Sequence, residues 1–204
     1  MSREAFAAAT DVSRETLDRL ENFAERLAKW NRAINLVAKP TLDHIWTRHF
    51  LDSAQLIEYA PASARTWIDL GSGAGFPGLV VAILRPDISV TLVESDRRKS
   101  VFLSETARAT NTNVTVICER AEHIDIKADI VSARALASLS DLLNFAVPLR
   151  SPGGVCLFLK GQNVENELTE ANHLWHIVHE RHDSRADPRG TILSITDFHR
   201  RTGA

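Results

Sequence analysis

The chain has 204 residues, of which 44% are hydrophobic and 25% charged, with a formal net charge of −2. These values suit a globular protein of one domain with a sizeable core, and the charge argues against a protein that coats nucleic acid nonspecifically. The N-terminus lacks a signal-peptide pattern and no stretch approaches the roughly 20 apolar residues of a membrane span, so we expect a soluble, cytoplasmic protein without a membrane partner. A monomer is expected separately.

The first sixty residues carry two helical patterns. A helix is predicted over 12–37, where apolar residues recur at steps of three or four, and Pro40 is expected to end it. The apolar positions are Leu17, Leu20, Phe23, Leu27, Trp30, Ile34 and Val37. A second helix is predicted over 42–58, with Ile45, Phe50 and Ile57 facing inward. Residues 1–60 are therefore predicted to be a helical extension of a core formed by residues 61–204.

Strand and helix patterns alternate after residue 64. Strands are predicted at 65–70, 89–94, 114–118, 129–133 and 154–160, and helices at 78–84, 97–110, 138–149 and 164–173. This alternation predicts an α/β fold with a mostly parallel sheet covered on both faces. Two further strand-like runs, 176–180 and 191–198, are separated by the turn-rich SRADPRG and could pair antiparallel at one edge.

The two cysteines, Cys118 and Cys156, both lie inside apolar runs. Buried free thiols are the expected state for both, because two isolated cysteines in such runs suit neither a disulfide framework nor a metal site. No metal is therefore predicted for this chain.

The segment WIDLGSGAGFPG, residues 67–78, holds four glycines and one acid, Asp69. A loop that leaves the first strand of such a sheet lies at its carboxyl edge, where ligands bind. Glycines let the backbone approach a ligand, and the next helix offers free N–H groups at its start. Pro77 suits the first helical position. The alternative is a tight turn without a ligand, for which one glycine would serve.

Two cofactors compete for this loop. Residues 73–78 match the dinucleotide fingerprint G-x-G-x-x-G, which by itself is a weak signal. S-adenosylmethionine is favoured because the glycines begin at Gly71 and because Asp69 offers an acceptor for an ammonium group but would repel a pyrophosphate. Pro77 also removes an N–H that a phosphate would use. An NAD-binding oxidoreductase remains the alternative.

Two acids further along the chain support a nucleoside ligand. Glu94 ends the second predicted strand and is placed to accept both ribose hydroxyls, a contact that NAD and S-adenosylmethionine share. Glu122 follows the third strand and can accept from the exocyclic amine of adenine, while a backbone N–H meets a ring nitrogen. The alternatives are a solvated acid at Glu94 and an ion pair of Glu122 with Arg120.

With S-adenosylmethionine as the favoured cofactor, the expected function is methyl transfer. Motifs that the chain lacks narrow the range of possible methyl acceptors. Residues 129–139, DIVSARALASL, hold no Asn/Asp-Pro-Pro-aromatic run of the kind that serves amine methylation. Methylation at pyrimidine C5 needs a cysteine nucleophile, and both cysteines lie in predicted strands. Guanine N7 is a target that needs no activation, because its lone pair is nucleophilic and it carries no proton. Catalysis of its methylation requires only that N7 be held in line with the methyl group. Arg134 and Lys160 are candidates to touch cofactor or guanine, with an ion pair at the sheet edge as the alternative for each.

An ordered set of segments resembles one family. From about residue 28 to 162 the chain is similar to the RsmG (GidB) family of bacterial 16S rRNA guanine-N7 methyltransferases, through KWNRAINLV, RHFLDS, DLGSGAGFPG, LVESDRRKSVFL, SARALASL and LKG. The resemblance implies a Rossmann-like sheet of seven strands, S-adenosylmethionine as methyl donor, and N7 methylation of one guanine in the 530 loop (guanine 527 in the family), within the small subunit or its precursor.

The resemblance also implies site residues. Contacts to the cofactor are expected from Gly71, Phe76, Ala121, Glu122 and Arg134, while Gly73 and Glu94, with Asp69, follow the general methyltransferase pattern. Asn31, Asn35 and Lys160 match family positions without an assigned role. The C-terminal 40 residues match loosely, and no role is carried over to them.

A net charge of −2 is unusual for an enzyme that binds rRNA, because neutralising phosphates supplies much of the affinity. Local basic groups are available in three places: Arg97, Arg98 and Lys99; Arg26, Lys29 and Arg32; and Arg200 with Arg201. We expect the first two groups to flank the cofactor pocket and receive RNA, with scattered solvated charge as the alternative. A methyltransferase of small molecules or proteins, and a non-catalytic binding module, are the other functions considered.

Overall fold

A seven-stranded sheet forms the centre of the computed structural model, which describes residues 1–201; residues 202–204 of the predicted core lie outside it. The strands are β1 (Thr66–Leu70), β2 (Ser89–Val93), β3 (Val114–Ile117), β4 (Ala128–Arg134), β5 (Arg150–Lys160), β6 (Trp175–Asp183) and β7 (Thr191–Arg200). Their order is β3-β2-β1-β4-β5-β7-β6, with β1 to β5 parallel and β7 antiparallel to both β5 and β6. The predicted α/β class and antiparallel last pair are confirmed.

Both faces of the sheet are buried, because successive side chains of a strand point to opposite faces. On β1, Trp67 belongs to one apolar layer and Ile68 to the other. The helices are α5 (Gly78–Leu84) and α6 (Arg97–Ala109) on the first layer, and α7 (Leu139–Leu149) and α8 (Val164–Leu174) on the second. Strand order reverses between β1 and β4, so the carboxyl ends of these two strands mark the expected ligand site.

The N-terminal helices differ from their prediction. Helix α1 (Arg3–Thr10) was not predicted, and α2 (Arg14–Trp30) ends seven residues before the predicted limit at 37. The side chain of Asn31 ends it: Oδ1 accepts the N–H groups of residues 36 and 37, and Nδ2 donates to the carbonyl of Val37. These side-chain hydrogen bonds satisfy backbone groups that would otherwise bond within a helix, so they compete with helix formation. The helix therefore ends although the apolar spacing continues to residue 37.

The second predicted helix is present in a composite form. Pro40 does not end a helix but lies in the first turn of α3 (Lys39–Leu42), a position that tolerates its missing N–H. A π-helical turn (Trp46–Leu51), α4 (Asp52–Ala54) and a 3-10 helix (Gln55–Tyr59) then follow without a break. Phe50 is buried as predicted, whereas Ile57 is half-buried.

Aromatic rings join the N-terminal helices to the sheet layer. Phe23 of α2 stacks on Phe76 of the glycine loop, with ring centroids 5.2 Å apart, and lies 5.6 Å from Phe50 and 6.4 Å from Phe102. The apolar layer is therefore continuous across the predicted boundary at residues 60 and 61. We propose that the extension and the core fold as one unit.

The cysteine prediction is right for one residue and wrong for the other. Cys156 on β5 is buried, but Cys118 lies one residue beyond β3 and is exposed. Strand β3 ends at Ile117, so Cys118 lies just beyond the edge strand and is exposed to solvent. Among residues 1–201, no helix combines the length and apolar character that crossing a bilayer would take.

Candidate active site

The glycine loop joins β1 to α5, and its glycines serve different purposes. Gly71, Gly73 and Gly75 have φ values of 63°, 53° and 91°, a region that other residues adopt only with strain. Gly78 instead allows close packing, since a Cβ there would lie 2.6 Å from the Cβ of Asp69. Pro77 caps α5 and is not its first residue, so that prediction is off by one position.

Glu94 lies directly after β2 and is buried. Its Oε2 accepts the N–H of Gly73 and its Oε1 accepts the N–H of Asp96, each at 2.8 Å. The solvated-acid alternative is therefore wrong. The carboxylate ties the glycine loop to the end of β2, and its contact with a ribose stays a prediction.

Asp69 lies beneath the loop with no exposed surface. Its Oδ1 accepts from the Ser132 hydroxyl at 2.6 Å, and its Oδ2 accepts the N–H of Gly78 at 3.1 Å. Burial raises the pKa of Asp69 to about 6. The expectation that this carboxylate meets an ammonium group is wrong, because both oxygens face inward and join β1 to β4 and α5.

A small cavity of about 150 Å³ lies beyond the ends of β2 and β3. Gly71, Ala121 and Glu122 all line it, so the structure brings together three residues that the sequence singled out. Ala121 is buried within a 3-10 turn (Ala121–His123), whereas Glu122 is exposed. Within residues 1–201 no ion pair joins Glu122 to Arg120, which removes that alternative from the present structure.

A larger cleft of about 720 Å³ opens beyond the ends of β4 and β5. Three ion pairs line it: Arg134 with Asp52 at 3.2 Å, Lys160 with Glu167 at 2.5 Å, and Arg48 with Asp187. The C-terminal turn between β6 and β7 contributes Ser184, Ala186, Asp187 and Gly190 to its wall. Sequence reasoning assigned nothing to this turn, whose one signal was its content of turn-forming residues.

Leu136 lines both cavities, as does its neighbour Ala137. Its Cδ1 would be 2.6 Å from a Cβ built on Gly71. The preceding residue, Ala135, has φ 52° and so holds the chain in a left-handed turn at the end of β4. Leu136 and Ala137 thus both border the small cavity and the large cleft, and Leu136 lies against Gly71 of the glycine loop.

Arg134 and Lys160, the two predicted positioning residues, both line the large cleft. The Arg134 guanidinium donates to Asp52 and to the carbonyl of Arg48, and it lies 4.9 Å from the centre of the Phe76 ring. Lys160 donates to the carbonyl of Ala137 at 3.1 Å. Both Arg134 and Lys160 form ion pairs in this structure, which was the alternative considered for each of them. Their contact with a ligand stays a prediction.

Phe76 and His49 both contact the guanidinium of Arg134. Phe76 is buried and its ring stacks on His49 with centroids 4.7 Å apart, and the cofactor contact that the resemblance implies for Phe76 stays a prediction. Arg134 donates to Nδ1 of His49 at 3.1 Å, and Nε2 therefore donates to the Thr41 hydroxyl at 2.8 Å. Burial, with the charges of Arg134 and Arg48, lowers the pKa of His49 to about 3.

Sequence reasoning did not single out Arg48, His49 or Asp52. The available signal was the RHFLDS segment, which was quoted only for its resemblance. Arg48 and His49 lie in an irregular π-helical turn and Asp52 directly follows it, so their shared direction toward Arg134 cannot be read from an α-helical period.

Part of the predicted basic surface is assembled by the fold. Arg32, Asn35, Arg98 and Lys99 surround a polar depression of about 370 Å³, next to Asp96. Asn31 is buried and structural, as described above. Arg26 and Lys29 border a separate depression. Arg200 and Arg201 bond to Asn144 and to the carbonyl of Asn172 instead, at the other edge of the sheet.

Comparison with known sequences gives one consistent result. Residues 16–187 match the family described as GidB, rRNA small subunit methyltransferase G. A protein of Rhodospirillum rubrum named ribosomal RNA small subunit methyltransferase G is 53% identical over 201 residues, covering 98% of this chain and 100% of that protein. A protein of the same name from Parvibaculum lavamentivorans is 50% identical over 202 residues, covering 96% and 89%.

Solved structures share the fold at low sequence identity. M. jannaschii TYW2 in complex with AdoMet has a TM-score of 0.58 and 13% identity, covering 83% of this chain and 80% of that one. The ribosomal protein L11 methylase of Lactobacillus delbrueckii subsp. bulgaricus has a TM-score of 0.55 and 19% identity, covering 74% and 77%. The likeness shows a Rossmann-like fold of the methyltransferase type.

Proposed function

The chain belongs to the rRNA small subunit methyltransferase G family, and we propose that it methylates N7 of one guanine in the 530 loop of 16S rRNA, guanine 527 in the family. It is a methyltransferase that uses S-adenosylmethionine. The proposed partner is 16S rRNA in the small subunit or a precursor. The observation that carries the proposal is the row of cavities along the carboxyl edge of the sheet, from Ala121 to the cleft beside Arg134.

The chain offers places that fit both ends of S-adenosylmethionine. The small cavity beside Ala121 and Glu122 suits the adenine, and the charged cleft at the end of β4 suits the methionine end. Gly71 lines the small cavity, and a side chain at this position would collide with Leu136, which borders both cavities. When bound, the cofactor supplies an electrophilic methyl group on a sulfonium. We also propose that the enzyme is a monomer.

The glycine loop fits a dinucleotide less well. The N–H groups of Gly73 and Gly78 already donate to the carboxylates of Glu94 and Asp69. A pyrophosphate would compete with two acids for the donors it needs and would be repelled by both. This arrangement disfavours the NAD-binding alternative for a physical reason that is independent of family.

The cleft favours a target that needs no base. Its three carboxylates, Asp52, Glu167 and Asp187, are each paired with a cation. The imidazole of His49 lies in the same wall, but one nitrogen accepts from Arg134 and the other donates to Thr41. Such a site offers donors that position a base and no group poised to remove a proton. Guanine N7 has a free lone pair and no proton, so positioning suffices for its methylation.

The test is methyl transfer from labelled S-adenosylmethionine to small ribosomal subunits taken from cells that lack this enzyme. Chain cleavage selective for 7-methylguanine then locates the product. One new cleavage in the 530 loop would support donor, atom and site together. Label without that cleavage would contradict the proposed atom or position and leave a methyltransferase of another target.

A further inference from the structure

Asp52 occupies a position in the cleft that the proposed function leaves without a role. We propose that Asp52 binds the α-ammonium group of the methionine end of S-adenosylmethionine, beside Arg134. The proposal rests on the placement of the cofactor given above, with adenine beside Ala121 and the methionine end at β4. It assigns to Asp52 the contact that sequence reasoning expected of Asp69.

The first argument for this proposal is the location of Asp52. An acid near the point between β1 and β4 would suit an ammonium group, and Asp69 is closed off beneath the loop. Three carboxylates line the cleft, but Asp52 alone among these three is paired with Arg134, the last residue of β4. Glu167 and Asp187 are paired with Lys160 and Arg48 instead.

The second argument is the set of hydrogen bonds that Asp52 makes. Its Oδ1 accepts from Gln55 at 3.1 Å and from the Ser184 hydroxyl at 3.3 Å, and its Oδ2 accepts from Arg134 at 3.2 Å. An ionised carboxylate has about four acceptor sites. Three partners leave one site on a side chain that lines the cleft and is 14% exposed. Gln55 and Ser184 also hold the carboxylate in place if Arg134 turns toward a ligand.

The third argument is the pattern of charge that Asp52 and Arg134 present together. An α-amino acid has an ammonium and a carboxylate on one carbon, and the pair of Asp52 and Arg134 presents the opposite charges side by side. Arginine is well suited to a carboxylate, which leaves the acid for the ammonium. A purely structural role is the competing explanation, because Asp52 also joins the helical extension to β4 and to the C-terminal turn.

The experiment separates recognition from structure with two ligands. S-adenosylhomocysteine carries the amino acid end, whereas 5′-methylthioadenosine ends at the thioether. Calorimetric titration of the full chain with each gives a ratio of affinities. For Asp52→Asn we expect about a 10- to 100-fold loss for S-adenosylhomocysteine and an unchanged affinity for methylthioadenosine. Equal losses for both ligands would indicate a structural role and overturn the proposal, as would no loss for either.

Asp187→Asn is the matched control, since it removes the charge of another carboxylate that is paired with an arginine in the same cleft. Its ratio of affinities should equal that of the wild type, and a matching shift would overturn the assignment to Asp52. These titrations contain no RNA, so an error in the proposed guanine target would not alter them. If the wild type bound neither ligand, the placement of the cofactor itself would be wrong.

Discussion

The Oε2 atom of Glu94 accepts the backbone N–H of Gly73 at 2.8 Å, and its Oε1 atom accepts that of Asp96 at the same distance. One carboxylate at the end of β2 thus holds the loop that follows β1. The acid that the sequence assigns to the ribose also maintains the conformation of the glycine loop. Its loss should therefore weaken cofactor binding by two routes.

Replacing Glu94 with Ala should weaken the binding of S-adenosylhomocysteine by about 1–3 kcal/mol, the scale of a lost hydrogen bond to a charged group. Titration calorimetry measures this directly. Glu170→Ala is a suitable control, because Glu170 is an exposed acid on α8 that lines neither cavity. A Glu94→Ala protein with wild-type affinity would show that neither the ribose contact nor the loop depends on this carboxylate.

Alanine at Gly73 and at Gly78 should give different defects. At Gly73 the added Cβ finds ordinary space, but φ is 53°, so strain of about 1–2 kcal/mol should fall on the loop and on cofactor affinity. At Gly78 the Cβ would collide with Asp69 in the buried core, so folding should suffer. Urea unfolding and calorimetry separate the two. Larger destabilisation by Gly73→Ala than by Gly78→Ala would contradict this reasoning.

His49 should make the folded state sensitive to acid. Its pKa is about 3 in the folded protein and 6.5 as the ordinary value, so between these pH values only the unfolded chain binds a proton there. Its contribution to stability is present above pH 6.5 and is lost as pH falls toward 3. His49→Gln should therefore show a smaller drop in the free energy of unfolding between pH 7 and pH 5.

Asp69 acts in the opposite direction, because its pKa is raised to about 6 and its contribution is lost as pH rises through that value. It is common to the wild type and to His49→Gln, and so it cancels in the difference between their slopes. Parallel curves for the two proteins would exclude the neutral His49 as a source of acid sensitivity.

The depression lined by Arg32, Arg98 and Lys99 should contact RNA phosphates. Changing all three residues to Glu should weaken RNA binding and flatten its dependence on salt by roughly 0.7–0.9 logarithmic units per lost phosphate contact. The control is the same change at Arg200 and Arg201, which lie at the other edge of the sheet. A triple variant that kept the wild-type slope would place the RNA elsewhere.

The proposed unity of extension and core predicts one unfolding transition. Phe23 of α2 contacts the rings of Phe50, Phe76 and Phe102, so Phe23→Ala should remove about 3–5 kcal/mol and shift the whole transition. Thermal unfolding followed by near-ultraviolet and far-ultraviolet circular dichroism tests this. Separate midpoints for the two signals would show that residues 1–60 unfold independently of the sheet.

Much of the architecture could be read from the sequence. Alternating apolar runs and helical periods predicted the parallel sheet, the antiparallel last pair and the helix at 78–84, since these patterns arise from burial on both faces. The glycine spacing predicted a ligand site at the carboxyl edge of the sheet, which stays a prediction, and Ala121 and Glu122 do line a cavity there. One error lies where a side chain competes with the backbone, as Asn31 does at the end of α2.

The sequence by itself determined the class of the fold, the ligand edge and the type of cofactor, because these depend on local period and on residue spacing along one strand-loop-helix unit. Tertiary structure alone decided which acid faces the cleft. Asp69 and Asp52 are both acids beside ligand-binding segments, yet one is closed beneath the loop and the other is paired with Arg134 at the surface of the cleft. Partners that are 82 residues apart in the chain meet only through packing, which no local pattern encodes.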